Sequence, residues 1–349
     1  MTAPFITVLI TTYNYGRFVE QAIDSVFSQD YPLDKIQILI VDDGSTDDTF
    51  ERVKKYGCRI DYLYKPNGGQ ASALNLGFAN ARGEIVALLD ADDLFESLKL
   101  ARIADAFQQD PALGMVYHRT REWRVETNQY REYEFIAISG DLHKEPDRFV
   151  YYIPQPTTCV CFRRTSVNPL LPIPENIRMN ADCYLVALIP FLSPVLALDE
   201  FLSVYRIHGK NSFYLDEKQI PQEVRKNRLL TWQTAIEEMR KWLAAHGYTQ
   251  DLRPVRSLSI QWDILIDREA FALNPPGRVR YFRHLLKSCR YRLPLMTWRL
   301  VLINYLDTFA ALAVGYQNFP RWEKRREDLT RWVRTLMGKN SSSRTPRQK

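Results

Sequence analysis

Residues Ile85–Asp93 read IVALLDADD: five apolar residues, then three acids within four positions. An unbroken apolar run of this length, bounded by polar residues, is the pattern of a strand buried on both faces. Two other runs end in the same way. Phe5–Ile10 leads into Thr11, Thr12, Tyr13 and Asn14, and Ile36–Val41 leads into Asp42, Asp43, Gly44 and Ser45. Between them lie helical spacings: Phe18, Val19, Ala22, Ile23, Val26 and Phe27, then Ala71, Leu74, Phe78 and Ala81 within Gly69–Ala81, then Leu98–Phe107. Ser45 with Asp48 three residues on resembles a capping box that opens a helix to about Tyr56. Ile60–Tyr64 reads as a further strand. Strand and helix alternating at this spacing predict an α/β layered domain with a largely parallel sheet.

In such a sheet, ligands bind beyond the carboxyl ends of the strands. Three apolar strands therefore deliver hydroxyls and five carboxylates (Asp42, Asp43, Asp90, Asp92, Asp93) to one edge. A helix cap or a turn explains any single Asp after a strand, and Asp47 and Asp48 read as acids in a helix first turn. Capping does not explain Asp90-Ala-Asp92-Asp93, since one acid suffices for a cap. Carboxylates packed together repel and raise one another's pKa unless a cation is present. Oxygen-only clusters favour Mg²⁺ or Mn²⁺, and such an ion commonly holds a diphosphate.

The 349 residues predict about two domains. A hydrophobic fraction of 46% with 25% charged residues excludes a mainly disordered or disulfide-scaffold chain. The five cysteines contain no C-x-x-C pair, so a zinc ribbon or thioredoxin-type site has no support. Cys159 and Cys161, two apart, are expected on one strand face, buried rather than bonded, in a reducing compartment. Phe5–Ile10 is too short for a signal-peptide core, and no apolar run reaches the ~20 residues of a membrane span. The predicted location is cytoplasmic, peripheral on the inner face of the plasma membrane at most. After Pro111 the expected strands shorten to Gly114–Tyr117 and Thr158–Phe162, residues 119–155 read as loops, and Met179–Phe191 reads as a helix. From about Glu217 to Met337 the signals are helical. The predicted division is a catalytic domain over 1–215, a helical region over 216–337 and a disordered basic tail over 338–349.

The phrases ITVLITTYNYGRFVEQAIDSVFSQDYP, ILIVDDGSTDDT, NGGQASALNLGFANARGEIVALLDADD and LSVYRIHGKNS fall in order over roughly residues 4–212. Together they resemble family 2 glycosyltransferases of the GT-A fold. The resemblance implies a nucleotide-sugar donor with UDP favoured, a divalent metal (Mn²⁺ or Mg²⁺), and inversion at the anomeric carbon. It implies that Thr11, Thr12 and Tyr13 line the base and ribose, with Asp42 and Asp43 beside them and Asp43 on the base. Asn67, Gly68, Gly69 and Asn75 match the loop and helix near the donor. Asp90 faces the ribose or sugar, Asp92 the metal, and Asp93 shares the metal. His208 completes the metal shell, and Arg206 and Lys210 neutralise phosphate. The general base is Asp182, in Met179-Asn180-Ala181-Asp182, where Ala181 stands in place of the family's common Glu. Trp123, Tyr130, Tyr133, Phe135, Tyr151 and Tyr152 are candidates to stack on acceptor sugars, and equally ordinary packing residues.

Other classes have less support. A nucleotidyltransferase normally carries a Gly-rich phosphate loop after its first strand, where this chain has Thr11-Thr12-Tyr13-Asn14. Neither G-x-G-x-x-G nor G-x-x-x-x-G-K-[ST] is present, which removes the common dehydrogenase and P-loop kinase readings. A non-catalytic nucleotide-sugar-binding scaffold is the remaining alternative. Residues 277–349 hold 17 Lys+Arg against 4 Asp+Glu, while 1–276 hold 30 against 37. Arginines interleaved with Tyr281, Phe282, Tyr291, Trp298, Trp322 and Trp332 suit peripheral contact of 278–337 with an anionic membrane surface, and equally a helical subdomain packing Leu300–Val314 against the catalytic body or a dimer interface. The expected acceptor is a glycan or lipid-linked hydroxyl in cell-surface polysaccharide or lipopolysaccharide synthesis. No nucleic-acid motif is present, and an acidic body repels phosphate backbones.

Overall fold

The computed structural model describes residues 3–132, 135, 137–145, 149, 156–209, 211, 220–292, 313, 315, 316 and 318. Four apolar runs form a parallel core: β1 (Ile6–Thr12), β2 (Ile36–Asp42), β3 (Asp61–Tyr64) and β4 (Ile85–Asp90). β1 lies between β2 and β4, in register from Ile6 opposite Ile36 and Ile85. Alternation along β1 then decides the two faces. Ile6, Val8 and Ile10 join Val19, Ala22, Ile23 and Val26 of helix α1 (Gly16–Phe27) and Leu100, Ile103 and Phe107 of helix α4 (Lys99–Gln109) in one buried cluster. The opposite face receives helix α3 (Gln70–Asn80), where Gly77 lets the helix backbone approach Leu9.

The sheet continues past β4 in a mixed half. Among the described residues it has nine strands in the order β3-β2-β1-β4-β8-β6-β9-β5, with β7 on β6. The added strands are β5 (Leu94–Phe95), β6 (Met115–Arg124), β7 (Gln129–Glu132), β8 (Val160–Arg163) and β9 (Val195–Ile207). β8 is antiparallel to both β4 and β6, while β6 and β9 run parallel. The sheet is thus wholly parallel only in its first half, and the second half mixes the parallel β6–β9 pair with antiparallel ones. Part of 119–155, expected as loops, is instead the outer half of β6 and its hairpin partner β7. These residues are polar on their outer face, so they lack a buried-strand signature, and pairing with β9 supplies the order.

Shorter differences have local causes. The expected capping box at Ser45 is not made. Ser45 Oγ accepts the Asn14 N–H at 2.8 Å, and helix α2 (Thr49–Lys54) starts later, with the Thr49 N–H donating to Asp47 Oδ1 at 3.0 Å. The helix expected from Met179 begins at Asp182 as α6 (Asp182–Leu188), because Asn180 has φ 54°. Helix α5 (Arg164–Val167) follows β8, and helix α7 (Gln222–Ala245) carries the later part of this body.

The chain forms two compact units, Met1–Arg256 and Ser257–Lys349. Helices α8 (Arg253–Leu273) and α9 (Arg278–Arg292) follow α7. In the second unit Phe271 and Tyr281 are buried, with Leu285 and Tyr316 packed on them. Trp298, Trp322, Trp332 and the tail 338–349 lie outside the described residues. Cys58, Cys159, Cys161 and Cys183 are free, the last three buried. No described helix is long and apolar enough to cross a membrane.

The turn into β4 leaves no room for a side chain at Gly83, where a Cβ would come within 2.3 Å of the Thr7 backbone nitrogen and 2.6 Å of the Ile85 carbonyl oxygen. Gly83→Ala is expected to lower stability by about 1–3 kcal/mol, read as an earlier midpoint in urea unfolding.

Candidate active site

The carboxyl ends of β1, β2 and β4 open onto one cavity of 1290 Å³. Sheet register explains why. Thr11 lies opposite Asp90, and Thr12 lies opposite Asp42, so the polar residues that end each strand are neighbours. Thr11, Thr12, Tyr13, Asp43, Asn67, Gly69, Asp90, Asp92 and Asp182 all line the cavity. The structure therefore brings together nine residues singled out in the sequence, drawn from segments up to 171 positions apart. Thr12 Oγ1 is buried there without a hydrogen-bond partner.

Asp43 organises the near wall. Its Oδ1 accepts from Lys65 Nζ at 2.7 Å and the Gly68 N–H at 2.9 Å, and its Oδ2 from the Gly69 N–H at 2.7 Å and Asn67 Nδ2 at 3.1 Å. One carboxylate thus holds the whole 65–69 loop. Gly69 has φ +91°, and a Cβ there would come within 2.8 Å of the Arg178 backbone, so glycine is required at this close approach. Arg178 Nη2 in turn donates to Asn67 Oδ1 at 2.7 Å.

At the end of β4, carboxylate oxygens of Asp90, Asp92 and Asp93 lie within 4.8 Å of one another. Burial and the neighbouring acids push Asp90 well above the usual carboxylate range, and Asp93 likewise through burial and Asp92. Burial and then the charges of Asp92, Asp90 and Asp93 also raise the Tyr15 phenol. A hard divalent cation relieves such a cluster, and the donor set is all carboxylate at its core, so the residues fit Mg²⁺ or Mn²⁺. His208 Nε2 lies 2.9 Å from Asp92 Oδ2, with the imidazole packed 4.4 Å from the Phe18 ring.

Asp182 lines the same cavity as the first residue of α6. It is buried; Oδ2 accepts from Thr157 Oγ1 at 3.0 Å, and Oδ1 has no hydrogen-bond partner. Burial raises its pKa to about 6, against the opposing pull of Thr157 and the first N–H groups of the helix.

Several expected residues are turned elsewhere. Asp42 accepts from the Ser45 N–H and the Tyr62 hydroxyl, both at 2.7 Å, and braces the turn behind Asp43. Asn75 exchanges two hydrogen bonds with the Ile173 backbone, at 2.7 and 2.8 Å, and braces that loop. Arg206 is 1% exposed. Its guanidinium donates to the carbonyls of Asp92, Asp93 and Phe18 and to Gln21 Oε1, beneath the acidic turn rather than into the cavity. Asp93 points the same way, with Oδ1 accepting the Arg206 N–H at 2.8 Å and Oδ2 the Thr158 hydroxyl at 2.5 Å. His208 lies behind Asp92 rather than on the cavity wall. Lys210, Tyr133, Tyr151 and Tyr152 lie outside the described residues. Trp123 and Tyr130 stack on each other at 5.8 Å on the β6–β7 hairpin, and Phe135 packs against Tyr117.

Sequence reasoning missed several contributors. Tyr15 and Arg178 line the cavity without matching a quoted motif role. Asn227, Thr231, Thr234, Glu238 and Lys241 of α7 line it as well, at the i, i+4, i+7 spacing of one helix face. The polar spacing was visible in the sequence, but only the fold brings it, with Leu230 and Trp232, to the cavity that holds the carboxylates.

Residues 7–167 match the family model described as glycosyl transferase family 2. An uncharacterized glycosyltransferase of Nostoc sp. is 35% identical over 215 residues, covering 59% of this chain and 66% of that protein. One from Rickettsia felis is 33% identical over 215 residues, covering 60% of this chain and 34% of that protein. Residues 7–167 therefore carry a glycosyl transferase family 2 domain, and the chain spans from a third to about two thirds of these relatives' lengths. Among solved structures, S. aureus TarS 1–349 in complex with UDP covers 89% of this chain and 92% of its own at 16% identity and TM-score 0.52. The mannosyltransferase PcManGT from Pyrobaculum calidifontis, in complex with GDP-Man and Mn²⁺, covers 92% and 84% at 19% identity and TM-score 0.52. These likenesses carry the GT-A fold.

The Asp43 knot yields a direct test. Asp43→Ala removes the acceptor of the half-buried Lys65 ammonium and of the Gly68 and Gly69 N–H groups, so it is expected to cost about 1–3 kcal/mol, seen as a lowered melting temperature.

Proposed function

We propose that this chain transfers a sugar from a nucleotide-diphosphate donor to a hydroxyl of a glycan or lipid-linked acceptor, with inversion and with Asp182 as the general base. The observation that carries the reading is the shared cavity. Asp182, a buried carboxylate with one unpartnered oxygen, lines the same cavity as Asp90 and Asp92 of the acidic turn and the Thr11–Tyr13 and Asp43 wall. The family's relatives and the nucleotide-sugar complexes of the structural neighbours point the same way. UDP is the favoured donor nucleotide.

The chain's own residues divide the work. Thr11, Thr12, Tyr13 and Asp43 hold the base and ribose, with Asn67 and Gly69 closing that wall. Asp90 faces the ribose or sugar. Asp92, backed by His208, would hold Mn²⁺ or Mg²⁺, with Asp93 and Arg206 setting the turn from beneath. When bound, the ion neutralises the charge that develops on the departing diphosphate. The acceptor hydroxyl lies between the anomeric carbon and Asp182 Oδ1, along the α7 stripe. It attacks as the bond to the diphosphate breaks, and Oδ1 takes its proton. Alignment of the two reactants removes much of the entropic barrier. The catalytic body is assigned to 1–215 and its helical supplement to 216–337.

A base must be ionised to accept a proton. With its pKa raised to about 6, Asp182 is protonated below that pH, so turnover is expected to fall as pH drops through about 6 and to level off above it. Asp182→Asn is expected to retain nucleotide affinity and lose about 10²–10⁴-fold in kcat. Coupled detection of released UDP, beside UDP titration calorimetry, separates the two quantities. Unchanged turnover would assign the base elsewhere.

Peripheral membrane contact is proposed for the basic second unit, where Arg278, Arg280 and Arg283 are exposed on α9. Sedimentation with vesicles of phosphatidylglycerol and phosphatidylcholine is expected to pull down the chain at low salt. Replacing the three arginines by glutamate is expected to abolish it. Equal binding to vesicles of phosphatidylcholine alone would exclude the electrostatic basis.

A further inference from the structure

Thr157 and Thr158 are consecutive residues of a single 3₁₀ turn, Thr157–Cys159, that enters β8. At three residues per turn, neighbouring side chains diverge by about 120°, so the two hydroxyls serve different partners. Thr158 Oγ1 donates to Asp93 Oδ2 at 2.5 Å and accepts the Asp90 N–H at 3.2 Å, which uses both roles of the hydroxyl on the acidic turn. Thr157 Oγ1 donates to Asp182 Oδ2 at 3.0 Å and also lies within hydrogen-bonding reach of Asp90. Both threonines are buried, at 7% and 1% exposure.

The turn is anchored from behind. Lys99, wholly buried at the start of α4, donates Nζ to the Thr158 carbonyl at 2.5 Å and lies 3.5 Å from the centre of the Phe95 ring. A buried ammonium is costly to keep, and burial lowers the Lys99 pKa to about 8. Its hydrogen bond is spent on holding the backbone between the two threonines and β8.

We infer that Thr157 and Thr158 form a clasp of positioning residues: Thr158 sets the geometry of the Asp90–Asp93 turn for the cation, and Thr157 aims Asp182 Oδ1 at the acceptor by holding Oδ2. Neither hydroxyl takes part in the chemistry. The β-branch of each threonine limits χ1, so the hydroxyl is held in direction as well as in place. The Thr158 half rests on the proposed metal role of the acidic turn, and the Thr157 half on the proposed transfer reaction.

The two halves have separate readouts in the full-length chain. Calorimetric titration with Mn²⁺ alone reads the first. Thr158→Val is expected to weaken Mn²⁺ binding by about 10–100-fold, the usual cost of removing a group that orients a metal ligand, and Thr158→Ser to restore it. Release of nucleotide from UDP-GlcNAc and from GDP-mannose at saturating Mn²⁺ reads the second. Thr157→Val is expected to lower kcat about 10–100-fold with KM unchanged, while shifting Mn²⁺ affinity less than tenfold. Thr157→Ser is expected to recover kcat. Thermal melts accompany each variant, and the serine pair decides the matter if a valine variant does not fold. Wild-type Mn²⁺ affinity in folded Thr158→Val, or equal loss of both properties in both valine variants, overturns the clasp. Failure of the wild-type chain to bind Mn²⁺ overturns the metal reading itself. Failure to release nucleotide from either donor, with Mn²⁺ bound, overturns the donor assignment while the Mn²⁺ titrations still decide the Thr158 half.

Discussion

Three carboxylates crowded at the end of one buried strand repel one another, and much of the neighbouring structure answers that repulsion. Asp90, Asp92 and Asp93 bring oxygens within 4.8 Å. Beneath them Arg206 is almost wholly buried, with its guanidinium on the carbonyls of the turn and its backbone N–H on Asp93. Lys99 supplies a second buried cation behind Thr158. Two desolvated cations under an acidic turn are an expensive arrangement by themselves. They make sense together, because each compensates charge that the fold has already buried. The open side of the turn, where Asp90 and Asp92 meet the cavity, is left for a ligand.

This arrangement separates residues that present chemistry from residues that hold it. Asp43 does both, lining the cavity while four donors from the 65–69 loop converge on its carboxylate. Asp42, one residue earlier on the strand, holds the Ser45 N–H and the Tyr62 hydroxyl and braces the turn. The same division recurs at Asp92 against Asp93, and at Thr157 against Thr158. In each pair adjacent residues point apart, so one faces the site and the other its support.

The parallel half of the sheet was legible because its strands are buried on both faces and read as continuous apolar runs. Donor-side residues were legible for a related reason: they follow directly from strand ends, and parallel register must bring those ends together. Arg206 shows where that reasoning stops. A basic residue beside a histidine in a matching motif reads as a phosphate ligand, but strand β9 pairs with β6 and directs the guanidinium under the turn. The β6–β7 hairpin was illegible for want of periodicity, since its order comes from pairing across more than 80 residues with β9.

By itself the sequence determined the α/β class, the carboxylate edge and the family resemblance, because all three rest on short-range patterns: apolar runs, their polar ends and ordered motifs. Only the tertiary structure decided which acid of each pair faces the cavity, that Asp182 keeps one oxygen unpartnered, and that polar residues of α7 share the cavity with the acidic turn. These depend on side-chain direction and on contacts between segments far apart in the chain. A sequence states which groups are available; burial and hydrogen-bond satisfaction, settled by packing, decide which of them stay free to act.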